Sequence, residues 1–203
     1  EGVSELSFVG LNPPLTVTFE AKPGGAPMLK ELAPERVGTQ LLEVTVTLPK
    51  EVTAGAVQLV LAGPAGKSEP LSLRVVTPES LLLEQEPNNG FRKAQPIDGG
   101  RVIIGRIDAG DDVDVYRFSG KAGEKVSLEI IAARQNSLLD AGVTLFDATG
   151  GQLFTLDDVA GTRDPQFSFV LPAEGEYLIS VYDVHGHNGG EFHGYHLQLR
   201  RSP

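Results

Sequence analysis

The feature that most narrows the fold is a recurring one. Short runs in which apolar and polar residues alternate are each closed by a cluster of Gly, Pro, Asp or Asn. Leu15-Thr16-Val17-Thr18-Phe19, Leu42 to Leu48, Val113 to Phe118, Val126 to Ile131 and Tyr177 to Tyr182 all follow this pattern. A period of two puts alternate side chains on opposite faces, as in a half-buried β-strand. Proline fixes φ and removes a backbone donor, so such a run stops where proline enters. With 24 Gly and 14 Pro the chain is well supplied with such stops. No helical period is sustained for three turns. The pattern predicts an all-β protein. A length of 203 residues, 40% hydrophobic, suffices for one large core or two small ones.

The formal net charge is −10, and 18 of the 27 acidic residues lie after residue 80. The acidity argues against a nucleic-acid partner, because phosphate binding needs a basic face. There is no cysteine, which rules out disulfides and thiolate chemistry. No run of about 18 apolar residues exists, so no membrane-spanning helix is expected. The abrupt opening at Glu1-Gly2-Val3 reads as part of a longer protein whose signal peptide is absent from this chain.

In chain order, Leu6 to Val9, Leu15 to Phe19 and Leu41 to Leu48 read as strands. Met28 to Arg36 fits either a strand or one helical turn. Ala56 to Leu61 and Leu71 to Val76 pair naturally as a hairpin across Gly63-Pro64-Ala65-Gly66. Thr77-Pro78-Glu79-Ser80 is the expected boundary, giving modules 1–78 and 79–203. Leu81-Leu82-Leu83 leads into the acidic stretch Glu84-Gln85-Glu86-Pro87-Asn88-Asn89. A second acidic cluster, Gly110-Asp111-Asp112-Val113-Asp114, follows the apolar run Val102 to Ile104. If that run is the first strand of a sandwich, the two acidic ends come together. They then supply carboxylate and amide oxygens, the hard ligands that Ca²⁺ takes. The candidate ligands are Glu84, Glu86, Asn88, Asn89, Asp111, Asp112 and Asp114. The competing reading is a capping turn beside a solvated loop.

Two resemblances attach to these residues. Val44-Thr45-Val46-x-Leu48-Pro49, Gly55-x-Val57-x-Leu59 and Gly63-Pro64-x-Gly66-x-Ser68-x-Pro70-Leu71 resemble the closing half of IPT/TIG immunoglobulin-like domains, over residues 5–76. The opening Pro-x-x-Gly segment of that family is missing, as an N-terminal truncation would explain. The second module resembles the bacterial pre-peptidase C-terminal (PPC) domain over residues 84–200. The matching residues are Glu84-x-Glu86-Pro87-Asn88, Gly105-Arg106-Ile107, Gly110-Asp111-Asp112-x-Asp114-x-Tyr116-x-Phe118, Leu139-Asp140, Leu145-x-Asp147-x-x-Gly150, Asp157-Asp158, Pro172-x-x-Gly175-x-Tyr177 and Tyr195-x-Leu197. This resemblance implies a jelly-roll-like β-sandwich, secreted to the extracellular space or periplasm and appended to proteases and other enzymes. Its relatives include the collagen-binding domains of clostridial collagenases, which bind calcium at the N-terminal acidic segment. The implied function is a calcium-stabilised, non-catalytic accessory module that binds an extracellular polymer, matrix component or protein surface, or assists a parent enzyme. The rival is a purely structural spacer.

Other constellations carry less. All four histidines fall between Asp183 and His196, and Asp183, His185, His187 and His193 are the ligand types of a Zn²⁺ site. Gly186, Gly189, Gly190 and Gly194 favour a mobile polar loop instead. Asp147, Asp157, Asp158 and Asp164 offer carboxylates for acid–base work, but no nucleophile, metalloprotease or phosphate-loop motif accompanies them, so no enzyme is expected. Tyr116, Tyr177, Tyr182, Tyr195 and Phe192 either line a ligand-binding face or pack in the core, with Tyr177 a corner residue bonded to backbone.

Overall fold

A computed structural model describes residues 5–9, 15–18, 29–31, 40–42, 55–63 and 66–202. The chain divides into two compact units, Glu1–Thr77 and Pro78–Pro203. Every extended element is a β-strand, and the only helical turns among the described residues are short 3₁₀ pieces.

In the first unit β1 (Glu5–Val9) pairs antiparallel with β2 (Leu15–Thr18). The short pair β3 (Leu29–Glu31) and β4 (Gln40–Leu42) stands apart, which resolves Leu29 to Glu31 as strand. β5 (Gly55–Gly63) pairs antiparallel with β1, with β6 (Gly66–Lys67) and with β7 (Leu71–Val75). The β5–β7 pairing is the expected hairpin. Val57, in the middle of β5, is buried. The run expected from Glu43 to Leu48 lies outside the described residues.

The second unit is a sandwich of two five-stranded sheets. Sheet I has the order β15 (Gln166–Val170), β12 (Lys125–Ile131), β17 (Gly194–Ser202), β10 (Val102–Arg106), β8 (Leu81–Leu83). Sheet II has the order β14 (Gln152–Leu156), β13 (Ala141–Asp147), β16 (Gly175–Asp183), β11 (Val113–Gly120), β9 (Gln95–Pro96). Ile103, Leu128, Ile130, Leu197 and Leu199 from sheet I face Phe118, Val143, Leu145, Ile179 and Val181 from sheet II, all buried. Burying such side chains contributes about 1.5–3 kcal/mol each. On the outer face of sheet II, Ala94, Val115 and Leu178 form a smaller cluster, with Phe91 edge-on to Phe146 at 5.0 Å.

The sequence reading needs correction in two places. Val102 to Ile104 is not the first strand of the sandwich. Leu81–Leu83 already forms an edge strand, parallel to β10, and Gln95–Pro96 forms one parallel to β11. A three-residue apolar run gives no alternation to read, and parallel edge pairing has no local turn to announce it. The reading of the aromatics as one ligand face also narrows, since three of the tyrosines pack in the core. Tyr116, Tyr177 and Tyr195 are buried, and Tyr177 Oη donates 2.7 Å to the Ala173 carbonyl as a corner residue.

Candidate metal centre

The acidic segment crosses from one sheet to the other. It leaves β8 at the edge of sheet I, where the Glu84 N–H still donates to the Ile104 carbonyl. It reaches sheet II at Asn89, which forms an isolated antiparallel bridge with Asp114 on β11. Gln95 holds the crossing in place: its Oε1 accepts from the Gln85 N–H at 2.8 Å, and its Nε2 donates to the Leu83 carbonyl at 2.9 Å.

Asp114 enters the site through its position on β11. Asp114, Tyr116 and Phe118 share the inward phase, so the alternation that buries an aromatic pair also buries a carboxylate completely. From sheet I, β17 turns Tyr195 inward to meet them. Glu84 Oε1 accepts from Asn88 Nδ2 at 2.8 Å and from the Tyr116 hydroxyl at 2.9 Å, while Oε2 accepts from the Arg106 N–H at 2.8 Å. Glu86 Oε2 accepts from the Asn88 N–H at 3.0 Å. Carboxylate oxygens of Glu84, Glu86 and Asp114 lie within 4.8 Å of one another. Gly105 faces Tyr195 across the β10–β17 pair, and a Cβ there would lie 2.5 Å from the Tyr195 ring and 2.9 Å from Tyr116 Oη. Only glycine leaves room for the two phenols.

Protons can be counted along this chain of oxygens. Asp114 Oδ2 lies 2.6 Å from Tyr195 Oη, Tyr195 Oη 2.6 Å from Tyr116 Oη, and Tyr116 Oη 2.9 Å from Glu84 Oε1. Three contacts need three protons, and two phenols supply two, so one of the end carboxyl groups holds the third. Asp114 is the fully buried one of the two. Burial, reinforced by the neighbouring Glu84 carboxylate, pushes its carboxyl up to about 9, against the Tyr195 hydrogen bond that lowers it. Burial also raises both phenols, with Glu84 adding to the effect at each.

Two buried oxygens in this cluster have no partner, Asn88 Oδ1 and Asp114 Oδ1. Buried acceptors without donors are costly. Amide and carboxylate oxygens beside two more carboxylates are the donor set of a hard divalent cation, and Ca²⁺ takes six to eight such oxygens. The residues present therefore fit calcium, with Glu84, Glu86, Asn88 and Asp114 as the ligands this chain would offer.

The other expected ligands stand further out. Asn89 Nδ2 donates to Asp112 Oδ1 at 2.5 Å, and Asp112 Oδ2 accepts from the Asp108 N–H at 2.7 Å, so this pair forms a rim. Asp111 is exposed in a left-handed turn with φ of 66°, its N–H donating to the Gly186 carbonyl. The residues of the expected zinc site do not converge among the described residues. Asp183 Oδ1 instead accepts from the His185 N–H and from Asn188 Nδ2, both at 3.1 Å. His185 Nε2 lies 3.3 Å from Asp140, and His193 is buried with Nδ1 unpartnered. Their loop is packed rather than free: Gly189 sits against the Ala109 backbone so closely that no Cβ would fit. Sequence reasoning did not assign Tyr116, Tyr195 and Gln95 to the site. The one available signal was that Tyr116 shares the strand phase of Asp114.

Among the described residues no helix is long and apolar enough to cross a membrane. A stretch of 102 residues is 35% identical to a probable subtilase-type serine protease of Deinococcus radiodurans, covering 47% of this chain and 14% of that protein. The chain thus spans about a seventh of that relative's length. Among solved structures, the pre-peptidase C-terminal domain of a collagenase from Bacillus anthracis is similar at 17% identity and TM-score 0.43, covering 58% of this chain and all of that one. PliG of Aeromonas hydrophila, a periplasmic inhibitor of g-type lysozyme, is similar at 22% identity and TM-score 0.43, covering 54% of this chain and 96% of that one. Residues 112–183, which contain Asp114 and Tyr116 but neither the linker carboxylates nor Tyr195, match the family model of the bacterial pre-peptidase C-terminal domain.

Proposed function

We propose that the second unit is a non-catalytic accessory domain in which Ca²⁺ fastens the segment Glu84 to Asn89 onto the sandwich. The observation that carries this reading is the pair of buried, partnerless oxygens, Asn88 Oδ1 and Asp114 Oδ1, among three converging carboxylates. A bound cation would satisfy both oxygens and offset the repulsion between the carboxylates. It would also stabilise the folded state by mass action, since the ligands come from distant parts of the chain. The first unit is read as an immunoglobulin-like spacer of the IPT/TIG type. The chain is read as part of a secreted bacterial protein, extracellular or periplasmic, whose catalytic domain is a protease like that of the matched relative. The accessory role is attachment to an extracellular polymer or protein surface; the spacer role is the alternative.

The test is a thermal melt in EDTA, then with Ca²⁺, Mg²⁺ or Zn²⁺, on the natural chain and on Glu86→Ala with Asp114→Ala. A Ca²⁺-selective rise in Tm that the double variant lacks supports the clamp. No rise with Ca²⁺ sinks it, and a rise with Zn²⁺ alone redirects attention to His185, His187 and His193.

A further inference from the structure

We propose that a groove on sheet I, which shares Gly105 and Tyr195 with the candidate metal centre, binds an uncharged saccharide. It has a volume of about 280 Å³. Its floor is Ile104 and His196, side by side in the β10–β17 register. One wall is Gln135, Asn136 and Ser137; the other is Glu191 and Phe192. The proposal rests on reading the unit as a binding module and is independent of the calcium assignment.

Three features select the ligand class. The first is preorganisation. Ser137 Oγ donates to the Phe192 carbonyl at 3.1 Å and the Leu138 N–H donates to the same oxygen at 2.8 Å, so the two walls are tied together. Gln135 Nε2 lies 2.9 Å from His196 Nδ1, which orients the amide. With the amide as donor, the imidazole presents an acceptor to Gln135 and its proton lies on Nε2. Such fixing lowers the ordering cost of binding.

The second feature is charge. No lysine or arginine lines the groove, and its single charged group is the exposed carboxylate of Glu191. Burial holds the His196 imidazole below its ordinary pKa, so it stays neutral. Anionic ligands therefore find no cationic partner here, and Glu191 repels them. The third feature is the mixture of surfaces. Two amides, a carboxylate, a hydroxyl and an imidazole surround the aliphatic Ile104 and the ring of Phe192. Vicinal hydroxyls suit the first set, and the apolar face of a pyranose ring suits the second.

The experiment is an NMR titration of the full chain in Ca²⁺ with chitohexaose, cellohexaose and mannohexaose, and in parallel with a collagen-like Pro-Pro-Gly peptide. The expected result is a saturable set of shifts at Gln135, Asn136, Phe192 and His196 with at least one saccharide. Gln135→Ala and Glu191→Ala should each weaken that binding about tenfold without changing Tm. The proposal is overturned if none of the three saccharides saturates, if the shifts map to another surface, or if only the peptide perturbs these residues. The Tm response to Ca²⁺ reports separately on the metal centre, so failure of one reading is distinguishable from failure of the other.

Discussion

The hydroxyls of Tyr116 and Tyr195, carried by strands of opposite sheets, lie 2.6 Å apart between the carboxyl groups of Glu84 and Asp114. The sandwich is thus closed at this end by a polar chain instead of an apolar layer. Tyr195→Phe removes the central hydroxyl and leaves Asp114 Oδ2 and Tyr116 short of a partner. The expected loss is about 1–3 kcal/mol of unfolding free energy in urea with an unchanged m-value. A variant as stable as the natural chain would show that the chain of oxygens contributes nothing.

Asp114→Asn separates the metal-free state from the proposed Ca²⁺-bound one. In EDTA at neutral pH the carboxyl carries a proton, because burial holds it up to about 9. An amide of the same shape should then cost no more than about 1 kcal/mol. The Ca²⁺-dependent rise in Tm should nevertheless disappear, since an anionic ligand is lost. Comparing the variant in EDTA and in Ca²⁺ checks both halves, and a large destabilisation in EDTA would show that Asp114 is ionised without metal.

Gly105→Ala tests the close approach of the two phenols. The added methyl meets the Tyr195 ring at 2.5 Å, with the Tyr116 hydroxyl 2.9 Å away. The rings must shift, at a cost of about 1–3 kcal/mol. Because both phenols hold the carboxyl groups proposed as Ca²⁺ ligands, the Tm increment from Ca²⁺ should shrink as well. An unchanged increment would mean that the phenols do not set the site.

Acid should destabilise the second unit through groups distant from the metal centre. Burial raises the fully buried Asp164 carboxyl, but the Arg134 guanidinium at 2.7 Å and the N–H groups of Ala132, Arg134 and Ala133 outweigh it and hold the pKa below the ordinary value. Glu124 is held at about 2 by its hydrogen bond to Arg201 and by the Lys121 N–H. Both are depressed in the folded state, so their contribution is present above about pH 4 and is lost as pH falls through the folded values. Asp164→Asn should cost on the order of 2 kcal/mol at pH 7 and flatten the stability profile below about pH 4. Urea midpoints between pH 2 and 7 measure this; an unaltered slope would remove Asp164 from the account.

The longer strands of the second unit were legible because period-2 runs such as Phe167 to Leu171 and Tyr177 to Tyr182 end at marked turns. They appear as β15 (Gln166–Val170) and β16 (Gly175–Asp183). The acidic segment was legible too, since carboxylates and amides cluster in sequence between Glu84 and Asn88. The hydrogen-bond partners of those side chains were not. Tyr195 lies 81 residues from Asp114, and nothing local links a residue of β17 to one of β11. Gln95 was equally silent, because a glutamine beside a proline looks like ordinary loop until its amide is seen gripping Leu83 and Gln85. Glycine spacing suggested a mobile histidine loop, whereas Gly189 is there to fit against Ala109.

The parallel pairing of β8 with β10 gives the sandwich a polarity. Leu81 sits level with Val102 and Gln198, and Leu83 level with Ile104 and His196, while β17 runs the opposite way toward Ser202. The chain therefore enters and leaves the second unit at one pole. Glu84, Gly105, Tyr195 and the groove above His196 gather at the other. Within this unit, the strand ends at Leu81 and Ser202 thus lie on the side away from Glu84 and Tyr195.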